Sequence, residues 1–269
     1  MFNKAQIMIE GQKPNNSTSA AILPMQCYVQ PFFRLLNKDC FLAIKEIEDN
    51  SIDLIVTDPP YGINFTKGYK SSSTELVHGD DGFSVMVFVD ELMREFKRIL
   101  KPESAIYIFT RFDVMPYWWL KIKNHFDAKN QIIWFKGGGG MGDLKGNFSY
   151  NYESIMFATN GKHQIRGKRD GSVWQIGKCK QEFHETQKPV ELIQKIIEHS
   201  SDEGMTVFDP FMGSGTTGVA CKNLNRNFIG IELNEDYYLT AKKRIENHSP
   251  QGGLFLNSFQ TELSNEAGT

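Results

Sequence analysis

The stretch that most constrains this chain is Ile52-Asp53-Leu54-Ile55-Val56-Thr57-Asp58-Pro59-Pro60-Tyr61-Gly62. Leu54 to Val56 form a short apolar run of the kind that makes a buried strand. The run ends in an acid, two prolines and an aromatic. Proline has no amide hydrogen and cannot continue a central strand, so the chain must leave the sheet here. The Asp58 carboxylate and the Tyr61 ring are then presented at the strand's carboxyl end, the edge at which parallel α/β sheets bind ligands. The plainer alternative is a turn in which Asp58 caps a following helix.

Strand and helix signals alternate around this stretch. Phe32 to Leu36 predicts a short strand, and Asp39 an N-cap for a helix over Phe41 to Asp49. Val85, Phe88, Val89, Leu92, Phe96, Ile99 and Leu100 recur at helical spacing. Lys101-Pro102-Glu103 ends that helix and Ala105 to Thr110 reads as the next strand, giving the strand–helix–strand unit of a parallel sheet. Trp118, Trp119 and Phe126 read as core, and Gln131 to Lys136 as a further strand. Residues 1–30 read as an irregular arm and 249–269 as a loose tail. Gly62 to Phe83, rich in Gly, Ser and Lys, reads as a functional loop at the site.

A second turn is equally telling. Thr206 to Asp209 reads as a strand running into Pro210-Phe211-Met212-Gly213-Ser214-Gly215-Thr216-Thr217-Gly218, with a helix over Thr216 to Leu224. Gly213 and Gly215 let backbone approach a ligand where a side chain would clash. The next strand, Phe228 to Ile231, delivers Glu232, whose carboxylate can accept bonds from ribose hydroxyls. An adenosine-containing ligand follows, but no phosphate-cradling loop, since no Lys-Ser or Lys-Thr succeeds the glycines. Asn234 with Glu235 and Asp236 opens a terminal helix to about Glu246.

At 269 residues the chain suits one large α/β domain. No apolar run is long enough to cross a membrane and no secretory leader is visible. Cys27, Cys40, Cys179 and Cys221 are scattered, as are the six histidines, so neither a disulfide framework nor a metal site is expected. The net charge of −2 conceals an asymmetry: residues 121–180 hold eleven Lys or Arg against four acids. Together with the aromatics of Gly137 to Glu182, this suggests a small inserted lobe facing nucleic acid. Lys145, Arg166, Lys168 and Arg169 there, with Lys67 and Lys70 of the earlier loop, are the candidate phosphate contacts.

Asp58-Pro59-Pro60-Tyr61, followed by Thr186-Gln187-Lys188-Pro189 and by Asp209 to Thr217, resembles the amino-group DNA methyltransferases of the β group, with the catalytic motif first, the target-recognition region in the middle and the cofactor motif last. Asn37-Lys38-Asp39-Cys40 is similar to the short motif upstream of that group's catalytic strand. The resemblance spans about residues 32–246. It implies a Rossmann-like, seven-stranded, mainly parallel α/β sheet flanked by helices. Residues 31–136 would form the catalytic half, 137–182 the target-recognition lobe and 183–248 the cofactor half. The implied cofactor is S-adenosylmethionine, lined by Phe211, Gly213 and Gly215, with Glu232 at its ribose, Asp39 and Cys40 near its adenine and Lys188 near its methionine end. Asp58, Asp209, Ser214 and Thr216 complete the implied set. Double-stranded DNA is the implied partner, a homodimer an allowed assembly, and a bacterial or phage-encoded cytoplasmic enzyme of restriction-modification type the implied setting.

The chemistry fits these residues. Acceptors set at the hydrogens of a base amine free its delocalised lone pair for methyl transfer, and Asp58, Pro59, Pro60 and Tyr61 supply acceptors and a stacking ring for a flipped base. Transfer to cytosine C5 would need a cysteine after proline, and no Pro-Cys occurs. Asp at the first motif position favours adenine N6, with cytosine N4 as the alternative. A nicotinamide oxidoreductase would share Gly213, Gly215, Gly218 and Glu232, yet its fingerprint belongs in the first strand–helix turn. A non-catalytic DNA-binding relative would have no use for the acid-proline-proline-aromatic turn.

Overall fold

The structure, a computed structural model, describes residues 31–59, 82–138, 146, 148, 150–180 and 187–249, with backbone alone for 82–87. The expected N-terminal arm, Pro60, Tyr61, nearly all of the Gly62 to Phe83 loop and the tail from residue 250 lie outside the described residues.

Along the chain run β1 (Phe33–Asn37), α1 (Cys40–Ile44), β2 (Ile52–Thr57), α2 (Gly82–Ile99), β3 (Leu100–Thr110), α3 (Met115–His125) and β4 (Asp127–Phe135). There follow β5 (Tyr152–Asn160), β6 (Val173–Gln175), α4 (Val190–Ser200), β7 (Thr206–Asp209), α5 (Thr216–Asn223), β8 (Asn227–Glu232) and α6 (Glu235–Asn247). The strands form one sheet in the order β1-β8-β7-β2-β3-β5-β4-β6. All pairings are parallel except those of β5 with β3 and β4.

Period-two alternation divides the core into two layers. Ile55, Ile106, Ile108 and Phe208 point to one face, where α1, α2 and α3 cover them. Leu54, Val56, Tyr107, Phe109 and Val207 point to the other, under α4, α5 and α6. The covering helices carry matching stripes: Val89, Leu92, Met93 and Phe96 on α2, and Leu192, Ile193, Ile196 and Ile197 on α4, all fully or almost fully buried. Each such side chain contributes roughly 1.5–3 kcal/mol by leaving water.

Three expectations need correction. The sheet has eight strands among the described residues, where seven were expected. Two of the eight, β5 and β6, come from Gly137 to Glu182, read from sequence as a small inserted lobe. In fact Tyr152–Asn160 pairs between β3 and β4 and is buried from Ser154 to Thr159. A strand covered on both faces shows a continuous apolar run without alternation, which hid it. Second, the helix opened by Asp39 stops at Ile44, short of Asp49, as the Glu46 and Ile47 amides bond three residues back in turns. Third, Lys101-Pro102-Glu103 lies within β3: the register jumps from Ile52↔Leu100 to Leu54↔Ala105, leaving Pro102 in a bulge that needs no ladder donor.

Connectivity reverses between β2 and β7. From β2 the chain crosses over α2 to β3 on one side, and from β7 over α5 to β8 on the other. The strand ends separate here and leave a crevice. Gly215 keeps α5 seated beside it. Its φ is +80°, and a Cβ there would stand 2.9 Å from the Ala241 Cβ and 3.1 Å from the Ala241 Cα of α6. Gly215→Ala should therefore destabilise the cofactor-free protein by about 1–3 kcal/mol. A denaturant midpoint equal to wild type would contradict this packing.

Candidate active site

The paired strands β2 and β7 both run out into an aspartate followed by proline: Asp58-Pro59 directly after Thr57, the last residue of β2, and Asp209-Pro210 at the end of β7. Both acids open on one crevice of about 800 Å³, which runs on to the glycine turn and to Glu232 at the end of β8. Two turns 150 residues apart in sequence thus share one cavity.

The two carboxylates have different tasks. Asp209 is 4% exposed; its Oδ1 accepts from the Phe211 amide at 3.1 Å and its Oδ2 from the Thr217 hydroxyl at 2.7 Å. It shapes the glycine turn and ties it to α5. Burial is the main influence on its acidity and pushes its pKa up to about 7, although both donated bonds favour the charged form. Asp58 instead pairs with an ammonium: its Oδ2 lies 2.6 Å from the Lys188 Nζ, and its side chain is a quarter exposed.

The turn is held by backbone donors and by one residue missed in the sequence. Glu232 accepts from the Gly213 amide at 2.9 Å and, with its other oxygen, from the Asn234 amide at 2.8 Å. Arg244 of α6 donates to the Ser214 carbonyl at 3.1 Å and to the hydroxyls of Ser214 and Thr216 at 3.2 Å. These two hydroxyls brace the turn from behind as well as lining the crevice. Cys40 is buried and lines the same cavity, whereas Asp39 spends Oδ1 on capping α1, accepting from the Phe41 and Leu42 amides. Phe211 lies between the cavity and α2, its ring 6.2 Å from that of Phe88.

These residues suit an adenosine cofactor with a cationic, amino-acid-bearing arm. A backbone turn free of side chains at Gly213 and Gly215, the Glu232 carboxylate for ribose hydroxyls, and Asp58 with Lys188 at the far end match its parts in order along one cavity.

Glu153 was also missed. It lines the crevice and is the one charged residue of β5, a signal obscured by reading that segment as a lobe. The basic candidates fare unevenly. Lys67, Lys70 and Lys145 lie outside the described residues. Arg166, Lys168 and Arg169 follow β5, which runs away from the crevice, since Ser154 pairs with Thr110 at the site edge and Asn160 with Ser104 at the opposite one. Arg166 bonds Asp202 at 2.8 Å there. The antiparallel direction of β5 thus delivers these three candidate phosphate contacts to the sheet edge opposite the crevice. Lys178 and Lys180, exposed just after β6, lie instead beyond Gln175, which pairs with Phe135 at the crevice edge.

Asp209 predicts a pH signature. Its folded pKa near 7 exceeds the ordinary 3.8, so the folded protein holds a proton that the unfolded chain releases. That contribution is complete below about pH 4 and is lost as pH rises through 7. Compared with Asp209→Asn, wild type should lose up to about 4 kcal/mol of unfolding free energy between these limits. Parallel stability curves for the two proteins would refute the assignment.

Comparison with known proteins agrees with this geometry. A family profile described as "DNA methylase", of N6/N4 type, matches residues 52–243. The chain is 32% identical over 239 residues to the type II methyltransferase M.HpaI of Haemophilus parainfluenzae, covering 79% of this chain and 74% of that one. It is 29% identical over 247 residues to the DNA adenine methyltransferase YhdJ of Escherichia coli strain K12, covering 79% and 82%. Among solved structures, the M1.HpyAVI–SAM complex superposes with a TM-score of 0.63 at 27% identity, covering 80% of this chain and 99% of that one. The cytosine-N4-specific PvuII DNA methyltransferase, at 14% identity and a TM-score of 0.68 with 82% and 91% covered, shares the fold. By sequence, fold and site, the chain belongs to the DNA methylase family, the amino-group DNA methyltransferases that use S-adenosylmethionine.

Proposed function

We propose that this enzyme methylates the N6 amine of adenine at specific sites in duplex DNA, acting on a base flipped out of the helix. The observation that carries this is the placing of Asp58 and Pro59 in one crevice with the glycine turn and Glu232, at the point where the sheet's connectivity reverses.

The bound cofactor supplies an electrophilic methyl group on a sulfonium. The protein's task lies with the base amine, whose lone pair is delocalised into the ring. The Asp58 carboxylate and the Pro59 carbonyl accept its hydrogens and favour a tetrahedral nitrogen with its lone pair directed at the methyl. Tyr61, two residues past the last described position of the turn, stacks on the extruded base. Rate enhancement then comes from positioning and fixed charge, with no covalent intermediate. Asp58 at the head of the motif and the likeness to an adenine-specific relative support adenine over cytosine N4.

The chain between Phe135 and Tyr152 begins and ends at the crevice edge, and we assign target recognition to it, with Lys145, Lys178 and Lys180 as phosphate contacts alongside Lys67 and Lys70. The enzyme would work on cytoplasmic DNA as part of a restriction-modification pair, as a homodimer that sedimentation of the free protein would reveal.

Two measurements test the reading. Labelled S-adenosylmethionine and unmethylated duplex DNA should give label in N6-methyladenine on nucleoside analysis. Label in N4-methylcytosine would overturn the base assignment, and unlabelled DNA would sink the proposal. Asp58→Ala should keep cofactor affinity within a few-fold while lowering turnover by roughly a hundredfold or more; full turnover would remove Asp58 from the chemistry.

A further inference from the structure

Four charged side chains stand in a row across the sheet's carboxyl edge. They are Lys136 just after β4, Glu153 on β5, Lys188 just before α4, and Asp58 just after β2. Alternation sets three of them on the face that α4 covers: Asp58 continues the series Leu54 and Val56, Glu153 that of Ile155 and Phe157, and Lys136 that of Trp134. β3 separates β2 from β5, and Lys188 spans it with Nζ 5.2 Å from the centroid of the Phe109 ring.

The signs alternate. Lys136 bonds Glu153 Oε1. Lys188 Nζ lies 3.0 Å from Glu153 Oε2 and 2.6 Å from Asp58 Oδ2. Exposures are low, with the side chains of Lys188, Lys136, Glu153 and Asp58 at 9, 15, 21 and 25%. Burial works against the Lys188 ammonium, but its two carboxylates outweigh this and hold its pKa above the ordinary lysine value. Burial likewise raises Glu153, and its two lysines outweigh that and hold it below the usual carboxylate range.

Stability alone gives little reason for such a row, because taking ions out of water costs about as much as their attraction returns. Its end on Asp58 gives a better one. We propose that Glu153 is a positioning residue, holding the Lys188 ammonium in common with Asp58 so that Asp58 stays oriented on the crevice while keeping acceptor capacity for the target amine. The inference rests on the reading of Asp58 as that acceptor. Lys188 is already in contact with Asp58 at 2.6 Å; with Glu153 neutral, Asp58 would be its one charged acceptor in a poorly solvated site, and the whole pull of the ammonium would fall on the carboxylate that must also accept from the amine. Lys136 fixes the other Glu153 oxygen, so the carboxylate cannot turn away from Lys188.

The discriminating variant is Glu153→Gln, which keeps shape and removes charge. In the cofactor-free full chain labelled with 15N-lysine, the Lys188 ammonium resonance, assigned by its loss in Lys188→Arg, should shift or broaden. At saturating cofactor and DNA, the single-turnover rate should fall roughly ten- to hundredfold, by analogy with outer-shell partners elsewhere. Cofactor affinity should change by less than about threefold, and Glu153→Asp should recover much of the rate. Lys136→Gln releases the other Glu153 oxygen, lets the carboxylate turn away from Lys188 and should move the same resonance, which keeps the test open if Glu153→Gln does not fold. An unmoved resonance in both variants, or a Glu153→Gln rate equal to wild type, overturns the proposal. If the wild-type protein methylates no DNA while the resonance still shifts in Glu153→Gln, the assigned activity falls and the Glu153–Lys188 link stands.

Discussion

The site depends on a constraint of connectivity: two parallel strands, β2 and β7, are neighbours although residues 58–205 separate them, and the chain departs from them in opposite directions. Crossover helices must lie on opposite faces to do this, α2 on one and α5 on the other, so neither of them covers the gap between the strand ends. Proline immediately after each terminal aspartate ends both strands at that gap. The crevice is therefore a product of topology, and the side chains in it are those that the strand ends deliver.

Within this frame, two similar sequence signals have diverged. Asp209 is sealed in and engaged by an amide and a hydroxyl, so its part is architectural. Asp58 is partly open and faces an ammonium. The same Asp-Pro pair thus serves as a brace beside one strand and, on the function we propose, as the acceptor for the target amine beside its neighbour. The difference arises from what lies above each: the first turn of α5 over Asp209, and the Lys188 side chain over Asp58.

What was legible in the sequence was local. Asp58-Pro59, the Gly213 and Gly215 turn, Glu232 at a strand end and the Asn234 cap are encoded by backbone rules acting within a few residues, and each stands where those rules put it. What was not legible depends on strand order and direction. Glu153 reaches the crevice because β5 lies two strands from β2, and Arg244 braces the turn because α6 packs on α5; nothing near either residue announces this. The basic segment misled for the same reason. Its charges were summed as one surface, although β5 carries the chain across the sheet and distributes them between opposite edges. A charge total along a sequence has spatial meaning only where the chain does not cross the molecule.

The reversed direction of β5 has a further effect. Because β4 and β5 pair as antiparallel neighbours from Phe135↔Tyr152 to Asp127↔Thr159, the chain between them leaves and re-enters the crevice edge through a neck one strand spacing wide, about 5 Å. The entropy of closing such a loop grows only with the logarithm of its length. Residues can be added to or taken from that stretch beyond Lys136 at little cost to the sheet, with the acid, the glycine turn and the ion row undisturbed. On the proposed assignment of target recognition to that stretch, a new DNA sequence preference could be acquired there while the chemistry is inherited whole.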